Sequence, residues 1–181
     1  MSDLLTTEDL PRYTYKDYLN WEDRWELIQG VPYAMSPAPS PEHQRISNKI
    51  ARYLDEALEN CEKCTALLPV DWKIDEQTIV QPDNLVVCFQ IKGHYITKTP
   101  SIIFEILSPS TSLKDQNLKY RLYEHEGVRY YCLVYTDEKI IKIFTLQNGR
   151  YIKHLDATDE TVSFELQECS FDLDFSKIWN L

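Results

Sequence analysis

The run Ile102-Ile103-Phe104-Glu105-Ile106-Leu107 sets one carboxylate inside an otherwise apolar strand. Desolvating a charged carboxylate costs on the order of several kcal/mol unless it is paired or coordinates a metal, so Glu105 demands a compensating group. Asp83 opens the neighbouring apolar run Leu85 to Phe89 from Val80-Gln81-Pro82-Asp83-Asn84, and Pro82 fixes the strand entry without donating a ladder hydrogen bond. If the two strands pair, both carboxylates converge at one edge of a sheet. Carboxylates within about 4 Å of each other repel, and a divalent cation between them removes that cost. Aspartate and glutamate oxygens suit Mg2+ or Mn2+ rather than zinc. Lys119, on the helix that follows Glu105, adds a cation able to stabilise a phosphorane-like transition state or orient an attacking water. Its competing role is a surface pair with Asp115, four residues earlier, worth about 0.3 to 0.5 kcal/mol.

The elements that must position these groups are legible from periodicity. Thr14 can cap a short helix carrying Tyr15, Tyr18 and Leu19. Trp25 to Ile28 and Val31 to Met35 read as a hairpin around Gln29-Gly30, ended by Pro37, Pro39 and Pro41. Ser40 and Pro41 are the N-cap and first residue of a helix over about 41 to 60, with Ile46, Ile50, Tyr53, Leu54, Ala57 and Leu58 at helical spacing. Strands are expected over Thr65 to Ile74, Leu85 to Phe89 and Ser101 to Leu107, the last two apolar enough to be covered on both faces. A second helix should begin after Thr111 or Ser112, bury Leu118 and Leu122, and stop at Gly127. Strands over Val128 to Thr136 and Lys139 to Gln147, an Asn148-Gly149 hairpin turn, alternating Val162, Phe164 and Leu166, and a short helix around Phe175 to Trp179 complete the chain. This order predicts an α/β (α+β) fold, a mixed β-sheet flanked by helices, in one domain spanning 1–181.

Composition narrows the function. The chain's 181 residues include four glycines, Gly30, Gly93, Gly127 and Gly149, so neither a Gly-rich phosphate loop nor a dinucleotide fingerprint can be built. Nineteen Lys and Arg against 29 Asp and Glu give a net charge of -10, which argues against a whole-surface polyanion binder and confines any nucleic-acid contact to a local patch. No run approaches the roughly 20 apolar residues of a membrane span, and Leu4 and Leu5 between acidic residues do not make a secretory signal. Five cysteines, with Cys61 and Cys64 the one close pair and no second pair to complete four zinc ligands, read as reduced thiols in a cytoplasmic protein.

The segments Gln81-Pro82-Asp83-Asn84-Leu85-Val86-Val87, Ile103-Phe104-Glu105-Ile106-Leu107-Ser108-Pro109-Ser110-Thr111, Asp115 with Lys119-Tyr120, and Gly127-Val128-Arg129-Tyr130-Tyr131 together resemble the Uma2 family. Glu26-Leu27-Ile28-Gln29-Gly30 and Pro41-Glu42-His43-Gln44 extend the resemblance to about residues 10 to 136. That family, formerly a domain of unknown function and abundant in cyanobacteria, belongs to the PD-(D/E)XK restriction-endonuclease-like superfamily. The resemblance implies that Asp83 and Glu105 bind a catalytic divalent metal and that Glu26 joins as an extra acidic residue. The superfamily's lysine two residues after the Glu is Leu107 here, and the resemblance implies Lys119 as its replacement. Asn84 and Arg129 depart from the family pattern without a functional meaning.

The favoured reading is Mg2+- or Mn2+-dependent hydrolysis of DNA phosphodiester bonds, with Lys119 neutralising developing charge and Arg45, Lys49, Lys114, Arg121 and Arg129 as local cations for the approach. The acidic balance predicts weak DNA affinity and points to a homodimer or a partner that delivers the substrate. Two alternatives stand beside it: a binding or regulatory module on a nuclease-like scaffold, and a metal-free glycosidase using Asp83 and Glu105 as acid and base. Glu26 sits in an exposed-looking strand and His43 in a helix first turn, where solvated or capping roles are usual. Ser108, Ser110 and Thr111 read as loop and cap residues whose helix N-terminus can also hold a phosphate.

Overall fold

Two strands with almost no polar residues, β6 (Asn84–Val87) and β7 (Ile102–Ile106), are buried at every position because both of their faces are covered. The computed structural model, which describes residues 10–35, 38–108 and 114–180, places them inside a six-stranded sheet. Around them run β3 (Thr65–Leu67) on one side and β8 (Tyr130–Tyr135), β9 (Ile140–Gln147) and β10 (Arg150–Ala157) on the other, in the order β10-β9-β8-β7-β6-β3. All pairs are antiparallel except β7 with β8, whose parallel pairing requires a crossover. The crossover consists of a π-helical turn, Lys114–Lys119, and α3 (Tyr120–Glu126), which ends where Gly127 enters the left-handed region at φ 83°. The mixed sheet with flanking helices is the architecture expected from the sequence.

The period-two alternation of strands assigns the faces. Val86, Ile102, Phe104, Ile106, Cys132 and Val134 pack with Ile46, Ile50 and Leu54 of α2 (Pro41–Ala57). Those three helical residues lie four apart and are fully buried, each contributing roughly 1.5–3 kcal/mol. The hairpin of β11 (Thr161–Glu165) and β12 (Ser170–Asp174) and the short α4 (Ser176–Trp179) close the same core through Phe164, Phe171, Leu173 and Ile178. Leu85, Val87, Ile103, Tyr131 and Leu133 face the other way, toward Tyr123 of α3 and a second sheet. That sheet has the order β2-β1-β5-β4, from β1 (Trp25–Ile28), β2 (Val31–Ala34), β4 (Trp72–Asp75) and β5 (Thr78–Val80). The predicted turns hold: Gln29 and Gly30 at φ 51° and 78°, and Asn148 and Gly149 at φ 49° and 75°, have the paired positive φ of a type I′ hairpin. The N-terminal helix also forms, as α1 (Tyr15–Tyr18), with Asp17 accepting hydrogen bonds from the Thr14 amide and hydroxyl.

Three expectations are corrected. Thr65 to Ile74 is two strands in different sheets, because Pro69 cannot donate to a continuing ladder. The buried face of the crossover helix is carried by Lys119 and Tyr123, with Leu118 and Leu122 half-buried beside them. Both leucines still pack against the core on that face. The expected start of this helix at Thr111 or Ser112, and the loop residues Ser110 and Thr111, lie outside the described residues. The cysteines are not all reduced thiols: Cys61–Cys169 and Cys64–Cys88 are disulfide-bonded, while Cys132 is a free, buried thiol. Register explains the second pair, since Thr65 opposes Val87 and therefore brings Cys64 beside Cys88.

Candidate metal and catalytic site

Glu105 alternates with Phe104 and Ile106, so its side chain leaves the sheet on the face opposite α2 and meets α3. There the Lys119 ammonium lies 2.8 Å from Oε1 of Glu105 and 2.8 Å from Oε1 of Glu26. The Tyr123 hydroxyl donates to the same Glu105 oxygen at 2.8 Å. All three charged residues are buried: Glu26 is 0% exposed, Glu105 2% and Lys119 2%. Glu26 arrives from β1, and its Oε1 also accepts the backbone N–H of Gln81 at 2.9 Å. The expectation of an exposed strand around Glu26 is thereby corrected. β1 is covered by α3 and the main sheet, and a glutamate can occupy its inner face because Lys119 supplies the opposite charge. Lys119 likewise has buried carboxylate partners, and the side chain of Asp115, its expected surface partner, lies outside the described residues.

Asp83 stands just before β6, beside the C-terminal end of the antiparallel β7. Its Oδ2 accepts the Ile106 backbone N–H at 2.8 Å and lies 3.2 Å from Nε2 of His43. Continuing the register in which Asn84 opposes Phe104 by one residue sets Asp83 opposite Glu105, the alignment expected if the two strands pair. His43 is held in the first turn of α2, where its backbone N–H donates to Ser40 Oγ at 3.1 Å. Its Nδ1 is buried with no hydrogen-bond partner among the described residues. Asn84, beside Asp83 in the chain, ties β6 to α2: its side-chain N–H donates to the Ser47 carbonyl at 3.1 Å, and its Oδ1 accepts from the Ser47 hydroxyl at 3.1 Å.

A second layer braces Glu26 through Gln81. The Arg24 guanidinium donates to Gln81 Oε1 at 2.9 and 3.2 Å, and Gln81 Nε2 donates to Asp71 at 2.7 Å and to the Tyr18 hydroxyl at 3.1 Å. Tyr18 in turn donates to Asp71 at 3.0 Å. Burial, then the Asp71 charge, raise the Tyr18 phenol well above its ordinary value, which keeps it a donor.

A model of the Uma2 family, described as "putative restriction endonuclease", matches residues 13–175. The chain belongs to the Uma2 family. An uncharacterized protein of the cyanobacterium Synechocystis is 31% identical over 123 residues, a stretch covering 64% of each protein, so this Uma2 chain spans under two thirds of that relative's length. A crystal structure from Anabaena variabilis, described as a putative nuclease belonging to DUF820, superposes with a TM-score of 0.72 at 18% identity over 92% of this chain and 97% of that one. The Uma2 chain therefore shares the fold of that protein.

Of the residues singled out by sequence, Glu26, Glu105 and Lys119 are in direct contact, and Asp83 lies alongside through the Ile106 amide. Of the five cations expected to line an approach, three have other partners, and Lys49 is half-buried on α2. Arg45 binds Glu42 and the Asn180 carbonyl, Arg121 the Asn117 carbonyl, and Arg129 the Leu146 carbonyl. The Lys114 side chain is outside the described set. Tyr123 and Gln81 were not assigned roles by sequence reasoning. Tyr123 was visible only as the residue one helical turn beyond Lys119. Tyr123→Phe removes a buried donor to a charged acceptor and is expected to lower the unfolding free energy by about 1.5–3 kcal/mol, read by denaturant unfolding. A loss below about 0.5 kcal/mol means that this hydrogen bond does not hold Glu105.

Proposed function

We propose that residues 1–181 act as one restriction-endonuclease-like domain that hydrolyses DNA phosphodiester bonds with a bound divalent metal, Mg2+ or Mn2+. The observation that carries this reading is the charge of the cluster. Glu26, Asp83 and Glu105 bring three carboxylates to one end of the sheet, two of them sharing the ammonium of Lys119. The donor set is all carboxylate, which fits a hard dication. Asp83 and Glu105 would hold it, and when bound it would lower the pKa of a water and polarise the scissile phosphate. Both described contacts of Asp83 fall on Oδ2, so Oδ1 is available to a ligand.

The chain's own residues then divide the work. Lys119 acts through Glu105, which it aims by an ion pair of 2.8 Å. Glu26 shares the ammonium, and Gln81 fixes Glu26. His43, whose Nε2 lies 3.2 Å from Asp83 Oδ2, orients that carboxylate. With a net charge of -10, affinity for DNA outside the site should be weak, which is the reason to expect a second copy of the chain or a delivering partner.

Purified protein incubated with supercoiled, linear and single-stranded DNA tests the proposal. Nicking is expected with Mg2+ or Mn2+ and should vanish with EDTA. Metal binding by calorimetry without any cleavage would instead indicate a binding module on this scaffold, and cleavage that persists in EDTA would overturn the metal assignment.

A further inference from the structure

Away from the carboxylates, four of the five cysteines converge from three separate parts of the chain. Cys61 and Cys64 follow the end of α2, Cys88 follows β6, and Cys169 lies in the turn between β11 and β12. Cys61 is bonded to Cys169 and Cys64 to Cys88, and the two disulfides touch: Sγ of Cys64 and Sγ of Cys169 are 3.9 Å apart. The two disulfides are thus neighbours rather than two distant staples. Glu168 adds a carboxylate within 4.8 Å of the Cys64 and Cys88 sulfurs.

We propose that in the reduced chain these four cysteines bind one zinc ion as a tetrathiolate. Zn–S bonds of about 2.3 Å arranged tetrahedrally put neighbouring sulfurs about 3.8 Å apart, close to the separation already present between Cys64 and Cys169. Cys61 and Cys64 have the C-x2-C spacing of a structural zinc half-site, and the fold supplies the other half from Cys88 and Cys169. The backbone of that half-site is already a tight turn, with the Cys64 N–H donating to the Cys61 carbonyl at 3.0 Å. Cys61 is buried and the other three are half-buried against the α2 core, as a closed structural site requires.

The chemistry balances. A thiol reductant delivers four electrons and four protons to the two disulfides, giving four thiols. Zinc then replaces the four S–H protons, which are released, and forms four S–Zn bonds. The site is separate from the carboxylate cluster: Cys88 and Asp83 flank opposite ends of β6, roughly 17 Å apart at strand spacing. Its consequence is mechanical. Zinc would clamp the β11–β12 turn and the β3–β6 edge onto the end of α2, the helix whose other end carries His43.

The test uses the full chain, produced in a reducing cytoplasm and purified with a phosphine reductant and no chelator. Elemental analysis should find about one zinc per chain, and denaturation with alkylation should expose five thiols, the four plus Cys132. Cobalt substituted for zinc should give the intense sulfur-to-metal charge-transfer bands and visible transitions of a tetrahedral four-sulfur centre, a readout that needs no variant. Cys88→Ser and Cys169→Ser should lose the metal while Cys132→Ser keeps it. The proposal is overturned if the reduced protein, given zinc and freed of excess, retains none, if retained zinc survives Cys88→Ser and Cys169→Ser, or if the cobalt spectrum lacks sulfur charge transfer.

Discussion

Asp83→Asn and Glu105→Gln should each reduce metal-dependent DNA cleavage by about 10³-fold or more. Each substitution keeps the size of the side chain and removes one of the two charges proposed to hold the cation, and metal catalysis of this kind supplies several kcal/mol of transition-state stabilisation. The two variants should differ in the folded protein itself. Asp83 is partly open to solvent, and its asparagine can still accept the Ile106 amide, so the fold should be unaffected. Glu105 is sealed against Lys119 and Tyr123, so its glutamine leaves the ammonium with one carboxylate in place of two and should cost stability as well. Single-turnover cleavage of supercoiled plasmid alongside thermal unfolding separates the two effects. Cleavage unchanged in both variants would assign the activity to a contaminant or to another part of the molecule.

Lys119→Met is expected to lower the unfolding free energy by about 3–5 kcal/mol, because it removes the cation shared by two buried carboxylates while roughly conserving volume. For a chain of this size that corresponds to a fall in Tm of about 10 °C. The control is the double variant with Glu26→Gln, which neutralises one of the stranded groups and should recover part of the loss. A Lys119→Met protein within about 0.5 kcal/mol of the parent, or a double variant less stable than the single, means that the ammonium does not hold this cluster together.

The strongest sequence signals were those that a single element carries. An uninterrupted apolar strand with one glutamate announces a buried charge, and the pairing of β6 with β7 that brings Asp83 to Glu105 follows from two such runs being neighbours. Gly127 marked the end of α3 because a left-handed residue is required there. What could not be read depended on elements distant in the chain. Glu26 looked solvent-facing because a four-residue hairpin strand does not reveal which sheet will cover it. The cysteines looked unrelated because Cys169 lies 108 residues from Cys61, and only the closing of the C-terminal hairpin over α2 brings them together. Three-residue strands such as β5 fell below the length at which alternation can be recognised.

Glu26, Asp83, Glu105 and Lys119 are each contributed by a different stretch of the polypeptide, spread over more than half of its length. While the chain is still emerging from the ribosome these groups are ordinary hydrated side chains with no common neighbour. On this plan the site proposed to nick DNA cannot be complete before residue 119 has been made, and no fragment ending short of it would carry the full cluster.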